Sequence, residues 1–329
     1  MGLLVSLGAA VVGVTAVAVA VPPLIVRRDE RAAAAPTGLG DPIPGVRERT
    51  VVTDDGAELH LFELGVGPPL LLVHGLALDH RSWHYQFLDL SDRFRIIGVD
   101  LRGHGASTSG SAPIGPERFA KDLATVLEEL DLRGAVIVGH SLGGTAVGQL
   151  CADLPDLVNA RVAGLVFVGT FASAITGEGR FRETVSPTLV RAGAKLRTGT
   201  TPRSEPSPRA LAYAMARTPF GPNPQPEQVR FTLAMGALRA PSLIGAATVG
   251  NLAYDVRTRL DAIELPSLIV RGAHDRLSTS RSVAQLEASL KQSEVVVFDD
   301  CGHLPMLEDR ERFGQVLAGF VTRATGEAR

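Results

Sequence analysis

The 329-residue chain predicts an α/β protein: a mostly parallel, doubly wound eight-stranded sheet, a helical cap inserted late in the chain, and an N-terminal apolar helix. Three observations predict it. From residue 49 onward, short β-branched runs alternate with longer stretches of helical periodicity. Six of those runs have unbroken apolar centres, as strands buried on both faces of a parallel sheet do: LLLVH (70–74), RIIGVD (95–100), AVIVGH (135–140), VAGLVFVG (162–169), PSLIVRG (266–272) and EVVVFDD (294–300). Between Gly169 and Pro266, finally, Pro202, Pro206, Pro208, Pro219, Pro222, Pro224 and Pro226 punctuate broken helical signals such as PRALAYAMAR and QVRFTLAMGAL. A gap of that length needs structure of its own, which predicts a cap.

Taken in order, residues 1–26 form the first unit. Leu3 to Val26 carries no charge and is long enough to cross a bilayer, which needs about 20 apolar residues. Arg27 and Arg28 follow it, and a basic C-terminal flank favours keeping that side in the cytoplasm. The expectation is an uncleaved anchor with a cytoplasmic catalytic domain. The alternatives are a signal segment cleaved on export, with small-residue sites in AVAVAV and RAAAAP, or a buried or disordered arm. The start MGLLVS also fits a myristoylation pattern, which an apolar segment does not need. Residues 27–48, rich in Ala, Gly and Pro, read as a tether.

The core is expected over 49–171 and 262–329, with the cap over 172–261. RTVVT and AELHLFEL read as an antiparallel pair around Asp54-Asp55-Gly56. Helices are expected over 116–131, 142–153, 279–291 and 305–323.

Composition narrows function. Forty-five per cent of residues are hydrophobic, ample for a buried core, and a formal net charge of -2 supplies no basic field for nucleic acid. The two cysteines, Cys151 and Cys301, imply neither a disulfide framework nor a CxxC metal site, so no metal is expected. No GxGxxG or GxxxxGK loop is present, and no cofactor is expected. The sequence leaves the oligomeric state open.

The chemistry centres on VIVGHSLGG (136–144). A strand, then Gly139-His140-Ser141-Leu142-Gly143, then a helix is the pattern of a nucleophile elbow. The sharp turn needs small residues at Gly139 and Gly143 and sets the Ser141 hydroxyl at the positive end of a helix. Alone, the five residues equally fit a glycine-rich turn. A serine nucleophile also needs a base, and His303, in CGHLPMLE, lies just beyond the last strand. The base needs a carboxylate, and Asp275, in RGAHDRL, lies just beyond the strand before. All three fall at the carboxyl edge of the sheet, where open α/β folds bind ligands. The backbone N–H of Leu142 and that of Leu76, in His74-Gly75-Leu76-Ala77, are the expected oxyanion donors. His74 is a rival base, but at a strand end it is better suited to ordering the oxyanion loop.

From about 49 to 325 the chain resembles α/β-hydrolases of the lipase, esterase and cofactor-free haloperoxidase type, through HGLALDHRSW, DLRGHGAS, GHSLGG, RGAHD and CGHLPMLE in that order. The resemblance implies a serine hydrolase cleaving an ester, lipid-like or otherwise apolar, through an acyl-enzyme. Relatives that open epoxides or remove halides carry aspartate where this chain has Ser141. Perhydrolase or haloperoxidase chemistry at the same triad is the alternative, and a non-catalytic binder on this fold a more distant one. The resemblance gives DLRGHGAS (100–107) a mainly architectural role. Tyr213, Tyr254 and Trp83 are expected to pack, with substrate contact as the rival reading, and Cys301 is not expected to be a nucleophile.

Overall fold

In the computed structural model, residues 38–174, 213, 215–236, 246–247, 250–251 and 254–326 are described. The strands are β1 (Arg47–Val52), β2 (Glu58–Leu64), β3 (Pro69–Val73), β4 (Arg95–Val99), β5 (Ala135–His140), β6 (Val162–Val168), β7 (Ser267–Gly272) and β8 (Ser293–Phe298). They form one sheet in the order β1-β2-β4-β3-β5-β6-β7-β8. Pairing is antiparallel at β1–β2 and β2–β4 and parallel in the rest of the sheet. The hairpin turns as the Asp54-Asp55-Gly56 signal requires: Gly56 takes φ +80° and its N–H donates to Thr53 O at 3.0 Å.

Side chains alternate across a strand, so each apolar run feeds two cores. Leu71, Val73, Ile137, Leu165 and Ile269 point to one face, under α2 (Pro116–Glu129) and α3 (Leu142–Asp153). Leu70, Leu72, Val138, Val166 and Val270 point to the other, where α1 (His84–Leu90) and α8 (Arg310–Thr325) pack through Phe87, Phe313 and Leu317. The unbroken apolar runs reflect those two covered faces. β8 departs from that expectation: it pairs only with β7 at the sheet edge, and Val297 is 38 % exposed.

The remaining helices are α4 (Pro155–Arg161), α5 (Pro226–Gly236), α6 (Ser280–Ser289) and α7 (Pro305–Glu308). The helix expected over 305–323 is two. Asp309 breaks it with φ −131° and ψ 75°, and its side chain accepts from Arg312 N at 3.2 Å to start α8. The short 3-10 helix His80–Trp83, α1 and α4 carry no strong apolar periodicity and were not expected; Asp79 caps the first, and Pro155 opens α4.

Between β6 and β7 lies the long insertion, of which α5 is the longest described helix. No helix among the described residues is long and apolar enough to cross a membrane, and the anchor expected over 1–26 lies outside them. The chain order around β3 sets the position of the site. β4 lies on one side of β3 and β5 on the other, so the loops leaving β3 and β5 open at a topological switch point.

Candidate active site

β5 runs straight into the elbow. Ser141 sits at φ 51° and ψ −112°, in sparsely populated backbone space, and begins α3. The surroundings hold it there. Ser141 N donates to Val168 O at 2.9 Å, and Ser141 O accepts from Thr145 N at 3.0 Å and Thr170 Oγ1 at 2.9 Å. The glycines are steric requirements: a Cβ on Gly139 would lie 2.7 Å from Gly143 O, and one on Gly143 would strike Val73 O and His74 O. Gly75 lets the β3 loop approach the elbow, because a Cβ there would lie 2.7 Å from His140 Nδ1.

Asp275 and His303 meet directly. The His303 ring, 7 % exposed, places Nδ1 at 2.8 Å from Asp275 Oδ2. A carboxylate only accepts, so Nδ1 carries a proton, and in the neutral ring it is Nε2 that has the lone pair. Three further donors fix the carboxylate: Leu277 N at 2.7 Å, Ser278 N at 3.0 Å and Ser278 Oγ at 2.5 Å. Burial pushes the Asp275 carboxyl up, but the His303 ring and these donors outweigh it and hold it at about 2. Gly169 makes room for the ring, since a Cβ there would lie 3.0 Å from His303 Nδ1.

The elbow and the His303 loop are joined through the residue before the serine. His140 Nε2–H donates to His303 O at 2.9 Å. Fully buried and beside His303, the His140 ring is held well below the ordinary histidine range and is therefore neutral. No hydrogen bond joins Ser141 Oγ to His303 among the described residues; such contacts commonly tighten only with substrate bound.

His74 is used up structurally. Its Nε2 accepts from Leu101 N at 3.0 Å, which puts the proton on Nδ1, 2.8 Å from Gly75 O. Neither nitrogen is left to act as a base, and the ring ties the β3 loop to the β4 loop. That loop turns through Leu78 N donating to Gly75 O at 3.2 Å, with Ala77 at φ +60°. Among the described residues, neither Leu76 N nor Leu142 N donates a backbone hydrogen bond.

The remaining sequence candidates find packing roles. Trp83 is fully buried, with its ring centroid 6.5 Å from that of His140 and 6.3 Å from that of Phe313. Tyr213 is buried, and Tyr254 presses its hydroxyl against the Gly148 position of α3. Burial pushes the Cys301 thiol up to about 12, far from a reactive thiolate. In DLRGHGAS, Asp100 accepts from His80 N and Ala106 N, each at 2.8 Å, and Arg102 is buried between Asp55 and Asp122. Sequence reading missed Ser278, Thr170 and Pro219. An Asp-x-x-Ser spacing signals the first; Thr170 donates its hydroxyl to a main-chain oxygen and Pro219 offers its own main-chain oxygen, and neither contact has a residue signature.

The profile of the alpha/beta hydrolase family matches residues 70–316. The chain belongs to that family. The hydrolase is 27% identical over 283 residues to the AB hydrolase superfamily protein YisY of Bacillus subtilis (strain 168), covering 82% of this chain and 97% of that one. It superposes on a thermophilic esterase from Thermogutta terrifontis, solved with malate bound, with a TM-score of 0.70 and 27% identity, covering 85% and 99% of the two chains. A non-heme chloroperoxidase from Streptomyces lividans is 39% identical over 122 residues, which is 36% of the hydrolase and 43% of that relative.

Proposed function

We propose that the protein is a serine hydrolase that cleaves a carboxylic ester of apolar, lipid-like character through Ser141, His303 and Asp275. The observation that carries the reading is the Asp275–His303 bond at 2.8 Å, which fixes the tautomer in which Nε2 is the basic nitrogen, on a loop gripped by the residue before Ser141. In the first step Ser141 Oγ attacks the ester carbonyl while His303 Nε2 takes its proton, and Asp275 stabilises the imidazolium. The negative charge on the carbonyl oxygen falls to the amides of Leu76 and Leu142, each such donor being worth about 3 kcal/mol. His303 then returns the proton to the leaving alcohol, and water, activated by the same ring, releases the acid from the acyl-enzyme.

Similarity to the Thermogutta terrifontis esterase supports an ester as substrate. Apolar character is inferred from the N-terminal segment, read as a membrane anchor with the catalytic domain on the cytoplasmic side, and from the insertion over 172–261, read as a cap. A terminal tag tested for accessibility in intact cells checks the sidedness.

The function is tested with full-length protein on p-nitrophenyl esters of increasing acyl length. Replacing Ser141 with Ala is expected to cost about 10³-fold or more in kcat. Equal rates in the two proteins, or a fluorophosphonate that leaves Ser141 unlabelled, would overturn the assignment. The similarity to a chloroperoxidase favours a second reading, peracid formation from a carboxylic acid and peroxide at the same residues. Dye halogenation that depends on both acetate and peroxide, and is lost with Ser141→Ala, distinguishes it.

A further inference from the structure

We propose that Glu308 is a positioning residue for His303, clamping the amides on either side of it and tying them to the insertion; this rests on the reading of His303 as the base. Glu308 closes the short helix α7, one turn beyond the histidine. Its Oε1 accepts from Gly302 N at 2.9 Å and Leu304 N at 3.1 Å, and its Oε2 accepts from Gly221 N at 2.6 Å and Gly302 N at 3.1 Å. One carboxylate thus gathers the two amides flanking His303 and one amide from the segment between β6 and β7. His303 N itself donates to Pro219 O at 2.6 Å.

The two backbones meet so closely that only glycine fits on either side. A Cβ on Gly302 would strike Pro219 O and Gly221 N, and one on Gly221 would strike Asp300 O. The loop carrying His303 therefore lies flat on Pro219–Gly221, with His140 holding the His303 carbonyl from the other side. The amides of Gly302, His303 and Leu304 and the His303 carbonyl are then each held by a group outside the loop or by Glu308. Burial pushes the Glu308 carboxyl up, against the three amides and the His303 ring, which favour the ionised form.

Charge-assisted acceptors to backbone N–H groups are stronger than neutral ones, and a carboxylate offers enough lone pairs for all four contacts. An amide offers one acceptor oxygen and turns an NH₂ toward the remaining N–H groups. Losing the clamp displaces the His303 ring rather than the substrate, so the loss should fall on kcat. Displacements of about 1 Å at a reacting group cost on the order of 100-fold.

The test uses full-length wild type, Glu308→Gln, Glu308→Ala and the exposed control Glu311→Gln, assayed on p-nitrophenyl butyrate with thermal midpoints recorded. Glu308→Gln is expected to lower kcat by about 10- to 100-fold with KM within about twofold, Glu308→Ala at least as far, and Glu311→Gln is expected to match wild type. A folded Glu308→Gln protein with wild-type kcat, or with its loss confined to KM, overturns the proposal. If neither Glu308 variant folds, amide exchange of wild type before and after phosphonylation of Ser141 decides. Residues 217–223 and 299–309 gaining protection together supports the clamp, and a change in 299–309 alone overturns it. A wild type that neither hydrolyses ester nor takes a fluorophosphonate at Ser141 overturns the reading of the site and the role of Glu308 with it. A wild type that does both while Glu308→Gln matches it overturns the role of Glu308 alone.

Discussion

His140 Nε2 donates to the main-chain oxygen of His303, 163 residues away in the chain, at 2.9 Å, within a fully buried contact. The histidine in the elbow motif is therefore a brace between the serine turn and the loop of the candidate base. Replacing His140 with Leu leaves the His303 carbonyl buried and unpaired, which costs about 1–3 kcal/mol. Urea unfolding is expected to show that loss, and kcat to fall with it while substrate binding changes little.

Gly143 is expected to be the least tolerant glycine of the elbow. A methyl group there meets the main-chain oxygens of Val73 and His74, which belong to a central strand and its exit and do not yield as a side chain would. Gly143→Ala should destabilise by about 3 kcal/mol, the upper end for overpacking, and should separate β3 from α3. Chemical denaturation measures the loss, and near-ultraviolet dichroism from Trp83 reports the local repacking.

Arg102 uses all five of its N–H donors. Nε and Nη2 reach Asp122 at 2.6 and 2.7 Å, Nη1 and Nη2 reach Asp55 at 2.9 and 3.0 Å, and Nη1 also reaches Ser109 O at 2.7 Å. Arg102→Lys keeps the charge but cannot pair two buried carboxylates bidentately. The expected cost is about 3–5 kcal/mol in a denaturant titration, with kcat per folded molecule near wild type.

Stability should fall on acidification in two stages. The His140 ring is kept neutral in the fold, whereas the unfolded chain protonates it near the ordinary 6.5, so stability declines as pH falls below that value. Asp275 is held at about 2 against an ordinary 3.8, so the stability it contributes is complete above about pH 4 and lost as pH falls towards about 2. That loss amounts to about 2 kcal/mol. Asp275→Asn is expected to flatten the lower limb by this amount. Asp100, which His80 also holds at about 2 against its burial, and Asp55, Glu63 and Asp79, which arginines hold below the ordinary carboxyl values, keep the remainder. Thermal midpoints between pH 7 and pH 2.5 for the two proteins check both stages.

The eight strands were legible because each is a local pattern of apolar residues, and a strand covered on both faces writes an unbroken one. β8 was misjudged as fully buried for the same reason: its apolar residues do not record that no strand lies beyond it. The break at Asp309 was missed because helical periodicity continues through it, although the cap on Arg312 N was a readable signal.

The sequence by itself determined the order of the elements, the glycines of the elbow, and the positions of Ser141, Asp275 and His303, each just beyond a strand, because chain order and strand ends decide which residues reach one edge of a parallel sheet. Only the tertiary structure decided that Asp275 and His303 bond, that His74 has no nitrogen left for catalysis, and that His140, Pro219 and Glu308 frame the His303 backbone. Those contacts join residues far apart in sequence, and several engage main-chain atoms that every residue carries. Folding brings them within hydrogen-bond reach without leaving a side-chain pattern to mark where they form.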